Sequence, residues 1–63
     1  MKLEIMLYDR SLKKFQKLFP ESIFEGYETS FGSKCWVSMD QTISKYRIIR
    51  TCIENKIKLL TIQ

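Results

Sequence analysis

The chain has no histidine, one proline, two glycines and only two cysteines, and each scarcity removes a class of function. Histidine titrates nearest neutral pH, so its absence takes away the commonest general base and leaves a Ser or Cys nucleophile without its usual activator. No Gly-rich phosphate loop, HExxH helix or paired carboxylates at helical spacing replace it, so the expectation is a protein that is not an enzyme and has no catalytic residues. Cys35 and Cys52 are too few and too far apart for a CxxC pair, and there is no imidazole to complete a zinc tetrad. No metal and no cofactor is expected, and both cysteines read as reduced and buried in a cytoplasmic protein. The N-terminus alternates Lys2, Leu3, Glu4 and Ile5 where a secretion signal needs a continuous apolar run. Nor does any stretch approach the roughly 20 apolar residues of a membrane span.

What is present is a short, basic, foldable chain. Its 63 residues carry 11 Lys plus Arg against 7 Asp plus Glu, a net charge of +4, with 44% hydrophobic residues. That balance predicts one small globular domain over 1–63 rather than a disordered segment. Residues 2 to 8 alternate, with Leu3, Ile5 and Leu7 on one side, as in a half-buried strand. Leu12, Phe15, Leu18 and Phe19 then recur at helical spacing, with Asp9 or Ser11 as cap and Pro20 as stop. Ile23 to Thr29 and Lys34 to Met39 read as a hairpin joined by Ser30, Phe31, Gly32 and Ser33. In its second strand Cys35, Val37 and Met39 share one face and Trp36 and Ser38 the other. In its first strand Phe24 and Tyr27 point to opposite sides, so their faces stay undecided. Asp40 caps a longer predicted helix from Gln41 to about Lys56, whose buried arc is Ile43, Tyr46, Ile49, Ile53 and Ile57. Lys58 to Ile62 suits a last strand.

The order strand, helix, strand, strand, helix, strand predicts an α+β domain of the βαββαβ, ferredoxin-like kind: an antiparallel sheet with two helices on one face. If the first helix is only a loop, the fallback is a three- or four-stranded sheet covered by the second helix alone.

Three surfaces stand out. With the odd residues of the first strand turned to the helices, Tyr8 and Trp36 lie mid-sheet on the open face. That placement resembles the stacking platform of the RNA-recognition motif, where aromatics on the two central strands receive bases. The resemblance covers topology and two positions, and it implies a single-stranded RNA or DNA binder that stacks bases on Tyr8, Tyr27 and Trp36 and meets phosphates with Lys13, Lys17, Lys34 and Lys58. The plainer reading is that such residues simply suit β-strands, and that Lys13, Lys14 and Lys17, followed by Glu21, Glu25 and Glu28, form a solvated face. The second helix carries Arg47, Arg50 and Glu54. Arg50 falls inside the predicted apolar arc, where a pair with Glu54 one turn on satisfies it at the core edge. Ile48 and Cys52 occupy the opposite side, and apolar residues on both sides of an outer helix mark Arg47, Ile48, Arg50 and Cys52 as a partner-binding surface. The free edge of the hairpin or of the last strand offers a further surface for β-addition.

The first expectation is a small cytoplasmic binding protein that inhibits or regulates a larger protein by occupying its surface, with a homodimer as another use of the same greasy surface. The Lys- and Ile-rich economy of the chain resembles accessory proteins of phages and AT-rich bacteria, which implies an anti-host or anti-defence role. The nucleic-acid module is the second expectation.

Overall fold

The computed structural model describes residues 2–29, 32–40 and 42–63. The chain runs β1 (Lys2–Tyr8), a 3₁₀ turn (Asp9–Ser11), α1 (Leu12–Leu18), β2 (Ile23–Tyr27), β3 (Lys34–Asp40), α2 (Lys45–Glu54) and β4 (Leu59–Ile62). This is the expected α+β class, with two helices and a four-stranded sheet in the order β2-β3-β1-β4. Each strand is antiparallel to its neighbour.

The alternation in β1 and β3 dictates the core. Register sets Leu3 opposite Met39, Ile5 opposite Val37 and Leu7 opposite Cys35, and all six are buried. Such cross-strand pairs on one pleated face are the unit of sheet stabilisation. Phe15 and Phe19 of the α1 segment and Ile48, Cys52 and Ile57 of the α2 segment bury in the same layer. The Phe15 and Phe19 rings sit 4.9 Å apart in a tilted pair. Both cysteines are free and buried.

Four local expectations need correction. Neither Asp9 nor Ser11 caps α1 through its side chain; the 3₁₀ turn delivers the chain into the helix instead. Leu18, expected on the buried stripe, is 36% exposed, because α1 ends there and the chain turns away at Phe19.

In β2 a bulge between Phe24 and Gly26 breaks the alternation. Gly26 has φ +140°, a conformation L side chains rarely adopt, and the extra residue returns Phe24 and Tyr27 to one face. They pair edge to face with centroids 5.3 Å apart. Phe24 lies opposite Val37 and Tyr27 opposite Cys35, so this is the helix side of the sheet. Of the predicted hairpin turn, Ser30 and Phe31 lie outside the described residues; Gly32 has φ +71° and donates its N–H to the Thr29 carbonyl.

The second helix is shorter than predicted and rolled. Gln41 lies outside the described residues. The Asp40 carboxylate accepts the Thr42 N–H at 3.1 Å, and the helix is capped by Ser44, whose Oγ accepts from the Tyr46 N–H at 3.2 Å. At the other end the Lys56 and Ile57 N–H groups donate to the Ile53 and Cys52 carbonyls, with Lys56 at φ +59°. This is a Schellman closure, and it sends Ile57 into the core beside Cys52. Ile43 and Ile57 therefore enter the core from outside the helix, so a helical wheel drawn through them sets a false phase. Ile48 and Cys52 face the sheet, fully buried, whereas Tyr46 is 84% and Ile53 70% exposed. The roll from the predicted arc is roughly a third of a turn, and it leaves the tyrosine hydroxyl in water rather than in a dry core.

Candidate functional site

The open face of the sheet carries the even residues of β1 and β3. Met6 lies opposite Trp36 and Tyr8 opposite Lys34, so Tyr8 and Trp36 share this face as the aromatic-platform reading requires. Arg10 stacks on the Tyr8 ring with its guanidinium carbon 4.7 Å from the centroid. Lys34, opposite Tyr8, shares the face as well, but the remaining members are not brought together. Tyr27 is on the other face, and Lys13 and Lys17 extend from α1, also on the helix side; Lys58 precedes β4 at the far edge. Two carboxylates occupy the platform instead. The Trp36 indole N–H donates to Glu28, and the Ser38 hydroxyl, 1% exposed, donates to Glu25 at 2.6 Å. Anionic groups set against the stacking aromatics repel a phosphate backbone.

The proposed helical surface is split by the roll of α2. Arg47 and Arg50 are exposed, but Ile48 and Cys52 are core residues and take no part in an outer surface. Arg50 pairs with Glu54 at 3.7 Å with both side chains mostly in solvent, not at the core edge. The exposed apolar residues are Tyr46 and Ile53, which sequence reasoning placed inside. A signal was there: Tyr46 has the polar end and Cys52 the small side chain, and a helix lying on a sheet favours the smaller residue inward.

Beside α2, Ile49, Ile53 and Ile57 face the β4 residues Leu59 to Ile62 across an apolar groove of about 390 Å³, with Lys58 on its rim. The groove lies on the helix side, next to the outer edge of the sheet.

Charge is unevenly divided. Residues 1–44 contain six basic and six acidic residues, whereas residues 45–63 contain five basic residues and Glu54 alone, so the net +4 resides in the α2–β4 segment. Residues 18–33, which include β2, hold Glu21, Glu25 and Glu28 and no cation.

Neither cysteine is prepared as a nucleophile. Burial pushes the Cys52 thiol up to about 11, and burial together with the nearby Asp9 carboxylate raises that of Cys35; a thiolate is disfavoured at both. The same Asp9 carboxylate raises the Tyr27 hydroxyl. Among the described residues no three His, Cys, Asp or Glu side chains gather as metal ligands, and no helix is long and apolar enough to cross a membrane. Comparison with protein-family models, with curated proteins and with solved structures returns no match.

Proposed function

We propose that this chain is a small non-enzymatic cytoplasmic protein that regulates or inhibits a larger protein by occupying an acidic part of its surface, and that its sheet is a minimal ferredoxin-like one. The strand order, with β1 and β3 central and every neighbour antiparallel, supports the second statement. The observation that carries the first is the outward face of α2. Tyr46 is 84% exposed there beside Arg47 and Arg50, on the segment that holds the whole net charge. Tyrosine and arginine are among the side chains most enriched where binding energy concentrates, and here they stand side by side in solvent. The mechanism is steric: the bound domain covers the target's own working surface.

A second reading, the single-stranded nucleic-acid module, rests on Tyr8 and Trp36 sharing the open face. Glu25 and Glu28 on that face weigh against it.

A pull-down from a bacterial lysate with the tagged protein, one half treated with nuclease, separates the two. The expected result is one protein retained after nuclease and lost with the double variant Arg47→Glu, Arg50→Glu, since reversing charges at an interface opposes an acidic partner. Capture that vanishes with nuclease overturns the protein-target reading and moves the function to Tyr8 and Trp36.

A further inference from the structure

The sheet has two free edges, the outer sides of β2 and of β4. Exposed edges are templates for another strand, and natural proteins usually blunt them with lysine, proline or bulges that turn them away. Here β2 contains no lysine or proline, and its bulge turns Phe24 and Tyr27 onto the helix side, where they are 40% and 52% exposed. The apolar groove between α2 and β4 lies on that same side at the opposite edge.

Charge discriminates among the ways these edges can meet. β4 is itself uncharged and begins beside Lys58, whereas β2 contains Glu25 and is flanked by Glu21 and Glu28; pairing β4 with β4 brings lysine to lysine, and pairing β2 with β2 brings glutamate to glutamate. Only β2 against β4 sets the glutamates of one edge near the lysine of the other, and like-charge juxtaposition disfavours the two alternatives. Strand direction agrees. Because neighbours alternate from β2 through β3 and β1 to β4, β2 and β4 run in opposite senses. A second copy displaced along the sheet, without being turned over, therefore lays its β2 antiparallel to β4 and keeps all helices on one face.

We infer that the occupant of the α2–β4 groove is a second copy of this chain, whose β2 adds to the outer edge of β4 and seats Phe24 and Tyr27 against Ile49 and Ile53. The contact is head-to-tail: each copy offers one β2 and one groove, so association proceeds beyond a dimer unless the rotation between copies closes a ring. The inference does not depend on the protein-target reading.

Sedimentation of the purified chain alone tests it. The average mass is expected to rise with concentration past that of a dimer and to fall back as salt is added. Phe24→Glu removes the β2 surface and Ile53→Glu the groove; each variant by itself weakens association about tenfold or more. Mixed in equal amounts they form a 1:1 heterodimer and nothing larger, because one intact edge survives in each. Circular dichroism checks folding, with Tyr27→Glu and Lys58→Glu as substitutes for a variant that does not fold. A wild type that stays monomeric up to the millimolar range of a weak encounter (about 1 mM), a dimer that survives either variant alone, or a mixture that gives no heterodimer would each overturn the inference.

Discussion

Cys52 is 1% exposed, and burial alone raises its thiol from 9.0 to about 11. The sign of the consequence follows from proton linkage. Between those values the unfolded chain has released the proton and the folded chain still holds it, so the contribution of this thiol is complete below pH 9 and is lost as pH rises toward 11. Urea unfolding across that window should give a falling stability whose slope is shallower in Cys52→Ala; an unchanged slope would place the titration elsewhere. Trp36 shows the opposite situation, a large side chain with a structural but peripheral place. It is half-buried on the open face and tied to Glu28. Trp36→Ala is expected to cost about 1–2 kcal/mol and leave the fold intact, against roughly 3–5 kcal/mol for Phe15→Ala in the core. Thermal melts of the two variants side by side decide it.

At the scale of elements, two backbone positions invert the usual rule for which residue belongs where. Gly26 has no atom within 4 Å of where a Cβ would stand, so space is not its constraint; its φ of +140° is. Gly26→Ala should destabilise by about 1–3 kcal/mol through backbone strain alone, and by loosening the bulge should separate Phe24 from Tyr27. Lys56, at φ +59°, sits where a helix commonly closes with glycine. Lys56→Gly should raise stability by up to about 1 kcal/mol, since it relieves a left-handed cost of that order. Chemical denaturation of both variants gives the two signs directly. These positions also mark where the sequence was readable and where it was not. Period-2 spacing in Leu3, Ile5, Leu7 and in Cys35, Val37, Met39 located two strands and their buried face, because every residue in those runs belongs to one regular element. The α2 wheel failed because Ile43 and Ile57 lie beyond the helix ends that Ser44 and Lys56 fix, and Ile48 and Cys52 were thereby assigned to a partner surface. The β2 faces were undecided because alternation assumes no bulge, although a glycine inside a strand is the usual sign of one. Arg47 was legible as an exposed residue; Arg50, read as paired at the core edge, and Tyr46 and Ile53 beside it were not.

For the molecule as a whole the deciding fact is where the charge lies. Residues 45–63 hold all of the net +4, while the stretch around β2 is purely acidic. β2 and β4 are the two edges of the sheet, three strand spacings or about 14 Å apart, which exceeds the roughly 8 Å over which physiological salt screens a charge, so the two edges are felt separately. Binding to an acidic target should accordingly slow in onset as ionic strength rises, with dissociation much less affected, and surface-plasmon kinetics at three salt concentrations would read the two rates apart. A molecule built this way behaves as an electric dipole. It turns in the field of a charged neighbour before any side chain touches, so that α2 arrives first and orientation is settled during the approach rather than by trial after collision.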